Sequence, residues 1–542
     1  TRELRRIIAS ADGLQKSSTP ISDARHASNV LFNVMRGGVF TNGYKLDPHD
    51  LRQFITHANR TVATRHAAFF RKLSRGARIA ESASCINPEL ADSAVRAPGE
   101  SGVSYSHVVT LATATGDPQL ERLCREYLPL TFSRRHGDPS RPWNRFSLRA
   151  RQPDGRRAIW YEGNWRDIFQ NWEALAISFP GFLPGMICRF VNASTADGYN
   201  PYRITRDGID WEVADPHDPW SFIGYWGDHQ IVYLLKLLEA LEHHDPETLR
   251  ALLGRRIFSY ANVPYRIKAY ADLLANPKDT VEFDQAREEL VQQRVKTVGA
   301  DGKLAWDRTS NVLLVNLTEK LLVSLLAKLT NFVPGAGLWL NTQRPEWNDA
   351  NNALVGNGAS VVTLCYLRRM LTFCLEVFQS LGDAQFEIAE ELAAHLQTVK
   401  RVLRNEPQFT AKVISDRDRQ RLLDTLGEAG SRYREQIYAK GFSGRQRRIG
   451  NEALIQFFSA ARAAADHTIH SNRGRDRLYH SYNLLDFEGR DGVSIRRLYA
   501  MLEGQVAVLS SGLLSPDEAL SVLRARSEEH TSELQSRQDT SY

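Results

Sequence analysis

Cysteine is scarce in this chain of 542 residues, and its distribution argues against two kinds of stabilisation. The five cysteines are odd in number and widely spaced. None has a second cysteine or a histidine at the spacing of a metal-binding motif, so we expect no structural metal site. A scattered, odd set is typical of free thiols in a reducing compartment, and the sequence therefore predicts a cytoplasmic protein without disulfides.

The chain also lacks long apolar runs and a strong excess of one charge. The most apolar segments, 311–333 and 359–381, both contain charged residues, so they predict buried core helices rather than membrane spans. The net charge is +6, from 69 basic and 63 acidic residues that are interspersed. A nucleic-acid-binding protein would concentrate its basic residues in a stripe. We therefore expect neither a nucleic acid nor a membrane as partner.

The two ends of the sequence have an unusual character. The chain begins at Thr1 rather than at a methionine, and residues 526–542, which begin Arg-Ser-Glu-Glu-His-Thr, resemble the translation of a sequencing-library adapter. Our interpretation is a single catalytic domain over residues 1–525, truncated at both ends, with a non-native tail over residues 526–542. The alternative is a natural polar disordered tail, and in either case we expect that segment to pack against nothing.

Helical periodicity dominates the rest of the chain. Asp47 stands before a proline as a helix cap would, apolar residues recur at helical spacing in 231–241, and the stripe from Phe386 to Val399 predicts one helix. Further helices are predicted around residues 280–294 and 493–510. Strand-like alternation is scarce, and its short candidates are a hairpin within residues 147–161 and another within residues 203–211. This pattern predicts an all-α fold, an (α/α)6 toroid of helical hairpins with a few short hairpin strands in its loops.

Aromatic and acidic residues concentrate in two segments. Seven of the ten tryptophans lie between residues 143 and 226, and Trp347 is followed closely by Asp349. Aromatic rings stack on the C–H faces of sugars, and carboxylates bind sugar hydroxyl groups, so this combination favours a carbohydrate site. Two alternatives stay open. Single tryptophans are often ordinary core residues, and Asp228 is placed to be the N-cap of the helix predicted at 231–241.

Three short motifs occur in an order that resembles one enzyme family. The motifs are Arg166-Asp167-Ile-Phe-Gln170, Gly224-Tyr-Trp226-Gly-Asp228 and Trp347-Asn348-Asp349. Their order and approximate spacing resemble those of the cellobiose phosphorylase family, which belongs to the six-hairpin (α/α)6 glycosidases together with glucoamylase and the debranching-type glucosidases. The resemblance implies an enzyme that cleaves a short glucoside-type oligosaccharide with inversion, and it implies a homodimer.

The resemblance also implies a role for each motif residue. Asp228 resembles the general acid that protonates the leaving oxygen, and Arg166 and Asp167 resemble residues that grip the sugar being transferred. The other implied sugar-binding residues are Gln170, Trp226, Trp347, Asn348 and Asp349. Aromatic residues on both sides of Asp228 in the sequence would desolvate its carboxyl group and raise its pKa, which suits a proton donor.

The sequence leaves the nucleophile open. An inverting hydrolase uses a second carboxylate as base, whereas a phosphorylase uses inorganic phosphate as co-substrate. The candidate bases are Asp486, Glu488 and Glu503, and the candidate phosphate-binding residues are Arg477 and His480. We expect no organic cofactor and no metal. A non-catalytic sugar-binding or scaffold protein is the alternative, because binding alone would use Asp167 and the aromatic residues without requiring Asp228.

Overall fold

The structure is a computed structural model, and it describes only part of the chain. The described residues are 38–40, 44–86, 102–132, 159–164, 168–169, 172–173, 175–176, 179–201, 203–213, 215, 217, 227, 230–342, 354–411, 413–488 and 492–539. Within these ranges the side chains of residues 38–39, 77–86 and 528–539 are not described. Structural statements below apply to this part of the chain.

Helices make up most of the described structure. They are α1 (Pro48–Ala58), α2 (Arg60–Arg65), α3 (Ala67–Ile86), α4 (Tyr105–Thr113), α5 (Pro118–Glu126), α6 (Leu183–Asn192), α7 (Leu235–His244), α8 (Pro246–Gly254), α9 (Tyr270–Ala275), α10 (Gln285–Val298), α11 (Leu317–Leu329), α12 (Val361–Gln379), α13 (Glu390–Asn405), α14 (Asp416–Lys440), α15 (Asn451–Ser471), α16 (Leu502–Ser510) and α17 (Pro516–Asp539). Short 3-10 helices cover Pro180–Phe182, Ala300–Lys303 and Pro407–Thr410, and a π-helix, Gln230–Leu234, leads directly into α7. The fold is thus mostly helical, as the sequence predicts.

Short antiparallel strands connect the helices. They are β1 (Gly38–Phe40), β2 (Leu130–Phe132), β3 (Glu162–Asn164), β4 (Arg203–Thr205), β5 (Gly208–Asp210), β6 (Tyr265–Ile267), β7 (Val281–Phe283), β8 (Phe332–Val333), β9 (Gly337–Trp339), β10 (Gly358–Ser360), β11 (Gln385–Ala389), β12 (Gln446–Gly450), β13 (Tyr482–Asp486) and β14 (Ser494–Arg497). Five of them form one sheet in the order β14-β13-β10-β9-β8. This sheet is larger than the few hairpin strands expected of an all-α protein, so that expectation needs correction.

Side-chain caps explain where several helices begin. Asp47 accepts a hydrogen bond from the amide of His49 at 2.8 Å, which confirms the predicted cap of α1. Asn316 caps α11 in the same way by accepting from the amide of Glu319 at 2.8 Å. Helices α11 and α12 are both largely buried, which confirms them as core helices. No helix among the described residues is long and apolar enough to cross a membrane.

The strand and helix predictions fare unevenly. The hairpin within 203–211 is confirmed as β4 and β5. The single helix predicted from Phe386 to Val399 is wrong in its first part, because β11 precedes α13 and pairs with β12. Phe386 and Ile388 are buried while Gln385 and Glu387 are exposed, which is the alternation of a strand. The helices predicted at 280–294 and 493–510 are likewise wrong at their starts, where β7 and β14 precede α10 and α16.

A loop after α6, residues 193–200, brings several buried elements together. Gly198 has a φ of +89°, and a Cβ there would lie 2.5 Å from Cβ of Ala327, so only glycine lets the loop lie directly against α11. On another side, Tyr433 of α14 donates from its hydroxyl to the carbonyl oxygen of Ala196 at 2.9 Å. The loop is therefore held between α11 and α14.

Candidate functional site

The residues predicted for sugar binding and catalysis lie outside the described part of the chain. They are Arg166, Asp167, Gln170, Trp226, Asp228, Trp347, Asn348 and Asp349. Some residues within or near each motif are described. Ile168 and Phe169 lie within the first motif, Gly227 directly precedes Asp228, and Asn341 lies six positions before Trp347.

The neighbours of the first motif are core residues. The ring of Phe169 packs against Phe190 of α6 at 4.2 Å and against Trp172 at 4.8 Å, measured between ring centroids. Trp172 is fully buried, and Trp211 is buried as well, with its Nε1 donating to Glu288 at 2.8 Å. For these two tryptophans the core interpretation is therefore confirmed, and neither is open to a sugar ring.

Two buried polar side chains contact Gly227, and together with the buried polar residues linked to them we call them the polar cluster. Its members are Tyr199, Asn200, Gln230, Lys328, Asn331 and Asn341, all of them buried. Tyr199 and Asn200 come from the loop after α6, Gln230 from the π-helix, Lys328 from α11, and the two asparagines from the segment that follows α11. The cluster thus joins three parts of the chain that are distant in sequence: the loop after α6, the π-helix, and the end of α11 with the segment that follows it.

Contacts within the polar cluster connect the second motif with the approach to the third. A Cβ on Gly227 would lie 3.0 Å from Nζ of Lys328 and 3.2 Å from the ring of Tyr199, so both side chains contact this backbone closely. Asn331 donates from Nδ2 to the hydroxyl of Tyr199 at 3.3 Å, and it accepts at Oδ1 from Nδ2 of Asn341 at 2.8 Å. The chain just before Asp228 and the chain before Trp347 therefore belong to one buried region.

The π-helix anchors the other side of this region. Gln230 donates from Nε2 to Oδ1 of Asn200 at 2.8 Å and to the carbonyl oxygen of Gly198 at 3.2 Å. Helices with π hydrogen bonding are rare, and single π turns occur frequently at functional sites because the extra residue changes where neighbouring side chains point. The turn begins at Gln230, two positions after Asp228 in the sequence.

The electrostatics of the polar cluster are dominated by burial. Burial raises the pKa of the Tyr199 hydroxyl, and the nearby charges of Lys328 and Arg434 oppose that rise. The phenol therefore stays protonated at neutral pH. Amide and phenol groups of the cluster hydrogen-bond to one another in a place sheltered from water, which fixes Gly227, the π-helix and the segment after α11 relative to one another.

A cavity of about 360 Å³ lies on the other side of the loop 193–200. Asp197 of this loop lines the cavity, and its carboxylate accepts hydrogen bonds from the hydroxyl groups of Thr195 and Tyr438. Burial raises the pKa of Asp197, although both hydrogen bonds oppose the rise. The same short loop thus contributes Tyr199 to the polar cluster and Asp197 to the cavity.

The two predicted phosphate-binding residues lie on a tight turn between α15 and β13. Arg477 is exposed and has a positive φ of 70°. His480 is half-buried, and its Nδ1 lies 2.6 Å from the carbonyl oxygen of Leu498, to which it donates. In the neutral ring Nε2 is then an acceptor, so His480 could donate a second hydrogen bond to phosphate only when protonated. Of the candidate bases, Asp486 and Glu488 are exposed and Glu503 is half-buried.

Sequence reasoning missed the polar cluster and the cavity. Asn331 and Asn341 stand at the two ends of a mostly apolar segment that contains β8 and β9. Amide side chains next to such a segment are a sequence signal for a buried, hydrogen-bonded polar group. Nothing in the sequence near Asp197 indicates that its partner Tyr438 comes from α14. Among the described residues, no group of three or more histidine, cysteine, aspartate or glutamate side chains could hold a metal ion.

Comparison with protein-family models gave no match, and comparison with curated proteins gave no significant match. Any assignment of function therefore rests on the residues and geometry of this chain.

Proposed function

We propose that the protein is a carbohydrate-active enzyme built on an (α/α)6 toroid, and that it cleaves the glycosidic bond of a short glucoside-type oligosaccharide with inversion. Asp228 is its general acid. The observation that carries the proposal is the contact path through the polar cluster, from Gly227 through Tyr199 and Asn331 to Asn341. Gly227 of the second motif and Asn341, six positions before the third, are thereby connected although more than one hundred positions separate them in the sequence.

Chain geometry makes a shared pocket feasible. Consecutive Cα atoms are about 3.8 Å apart, so Asp228 begins within that distance of Gly227. Six residues of extended chain span at most about 20 Å, so Trp347 is within that reach of Asn341. A pocket that holds one or two sugar units needs its acid and its stacking residue within such a distance.

Lys328 sets a condition on the chemistry. An ammonium group close to a carboxyl group lowers the pKa of the carboxyl, whereas desolvation by aromatic residues raises it. Nζ of Lys328 lies close to Gly227, the residue before the proposed acid. For Asp228 to keep its proton near neutral pH, desolvation has to be the larger effect. A basic limb in the pH profile of kcat would report the resulting pKa.

The nucleophile distinguishes the two forms of the enzyme. Hydrolysis with inversion needs a carboxylate that activates water on the far side of the sugar. Phosphorolysis needs bound phosphate in the same position, and Arg477 with protonated His480 would be its ligands. Turnover that depends on added inorganic phosphate supports the phosphorylase, and turnover unaffected by phosphate supports the hydrolase.

Replacement of the acid tests the proposal. Asp228→Asn should lower kcat on gluco-oligosaccharides by about 10²–10⁴-fold, because the leaving oxygen loses its proton donor. The loss should be much smaller on an aryl glucoside whose leaving group needs no proton. Asp383→Asn is the control, because Asp383 is exposed between α12 and β11.

Two outcomes would contradict the catalytic role of Asp228. An equal loss on both substrates with a lower melting temperature would show that Asp228 is only a helix cap. Sugar binding by both wild type and Asp228→Asn, without turnover by either, would show a non-catalytic sugar-binding protein.

A further inference from the structure

The cavity beside the loop 193–200 has an excess of positive charge. Arg266, Arg287 and Arg294 line it together with the carboxylates of Asp284 and Asp197. Asp284 pairs with both Arg266 and Arg287. The carboxylate of Asp197 accepts hydrogen bonds from Thr195 and Tyr438, and three guanidinium groups therefore outnumber two carboxylates at this cavity.

One of these arginines has no anionic partner among the described residues. Arg294 makes no hydrogen bond and no ion pair in the part of the chain that the structure describes, and its guanidinium lies 5.1 Å from the ring centroid of Trp306. Partial burial without a compensating charge lowers the pKa of Arg294. An anion in the cavity would supply the missing charge.

A second arginine is only partly used. Arg266 directs Nε and Nη2 to the same oxygen of Asp284. Its remaining terminal nitrogen has no acceptor among the described residues. Arg287 differs, because its donors are engaged by Asp284, by Oδ1 of Asn262 and by the carbonyl oxygen of Tyr438. Arg287 therefore holds the wall of the cavity, while Arg266 and Arg294 are available to a ligand.

The remaining lining suits a small hydroxylated molecule. Nδ2 of Asn262 has no acceptor in the described structure, and the Asp197 carboxylate lies at the cavity wall, so one donor and one acceptor are present for hydroxyl groups. Trp306 and Phe442 supply apolar surface for a ring. A volume of about 360 Å³ is at the lower end of the range for small-molecule sites.

We infer that this cavity is a binding site for a small hydroxylated organic anion, such as a sugar phosphate or a sugar acid, held by Arg294 and Arg266. None of the lining residues named here is a proposed catalytic residue, and the inference does not depend on the proposed function.

Calorimetric titration of the full chain tests the inference with four probes: glucose 6-phosphate, glucuronate, glucose and inorganic phosphate. At least one of the two anionic sugars should bind, and which one binds identifies the anionic group. Glucose and inorganic phosphate should bind at least ten-fold more weakly. Equal binding of glucose would show that charge is irrelevant, and equal binding of inorganic phosphate would show that the hydroxylated part is not recognised; either result overturns the inference.

Variants on α10 connect binding to the cavity. Arg294→Gln should weaken binding at least ten-fold, whereas Lys296→Gln, which removes the same charge from an exposed position of the same helix, should not. Ala286→Glu adds a negative charge at the cavity lining in the first turn of α10, where an acidic residue favours the helix, and it should abolish binding without unfolding the protein. Unchanged affinity in folded Arg294→Gln and Ala286→Glu would place the anion elsewhere and overturn the inference.

Discussion

Removing Arg122 should expose how strongly the charges buried between α5 and its neighbours depend on one another. Arg122 is fully buried and donates to Glu126 at 3.0 Å and to Asp301 at 2.5 Å. Arg122→Met keeps most of the side-chain volume but leaves two buried carboxylates without this partner. Breaking a buried ion pair from one side costs about 3–5 kcal/mol, so we expect a loss of that size at pH 8 in urea unfolding.

The loss should depend on pH with a definite sign. Burial raises the folded-state pKa of Asp301 above its usual value, although Arg122 opposes the rise. The folded protein therefore binds this proton more tightly than the unfolded chain does. The stability that results is lost as pH rises through the folded-state pKa. Without Arg122 the pKa rises further, and the variant loses more stability relative to wild type at pH 8 than at pH 5. Adding Asp301→Asn should recover part of the loss, because it removes one buried charge.

A surface ion pair provides the control. Arg65 is half-exposed and lies 2.9 Å from Asp117, so Arg65→Met should cost less than about 1 kcal/mol. A loss below about 1 kcal/mol for Arg122→Met, or a loss that is the same at pH 5 and pH 8, would refute this account of the buried charges.

Two further predictions concern the backbone and the thiols. Gly299→Ala should destabilise the protein by at least about 1 kcal/mol, because φ is +117° and a Cβ would lie 2.2 Å from the carbonyl oxygen of His57. Gly76→Ala in α3 should instead stabilise it by about 0.5–1 kcal/mol, because no atom lies within 4 Å of the added Cβ. Thermal unfolding of both variants checks this, and a neutral Gly299→Ala would contradict it. The four described cysteines are buried and free, and burial raises the pKa of Cys188 and Cys374 to about 12; the four are Cys124, Cys188, Cys365 and Cys374. Peptide mapping after thiol labelling at pH 8 should therefore find them modified only once the protein is unfolded. Rapid labelling of the native protein would show that they are accessible.

Local signals in the sequence predict helix starts better than they predict strands. Asp47 identifies the start of α1 because its carboxylate and the following proline act within a single turn. The strand β11 is hidden because Phe386 and Ile388 also fit the apolar stripe of the helix that follows. The alternation becomes meaningful only through pairing with β12, some sixty positions later, and local periodicity carries no information about such a partner.

The candidate site divides in a similar way. The three motifs can be recognised by their residue types. The side chains that connect Gly227 of the second motif with Asn341 before the third come from other parts of the sequence. Lys328 looks like an ordinary solvated lysine at the end of a helix, and only the path of the loop 193–200 places it among buried groups next to Gly227. Long-range contacts of this kind depend on tertiary packing, which a single sequence does not display.

The π-helix Gln230–Leu234 holds one residue more than an α-helical turn would. Deleting Val232 would let the segment close as a regular α-helix continuous with α7. Everything before the turn would then rotate by about 100° and shift by about 1.5 Å along the helix axis. Gly227 would leave its position beside Lys328 and Tyr199 while the helix itself stayed intact. The single additional residue thus sets the angle between the helix and the chain that precedes it, and it determines where Gly227 lies relative to α7.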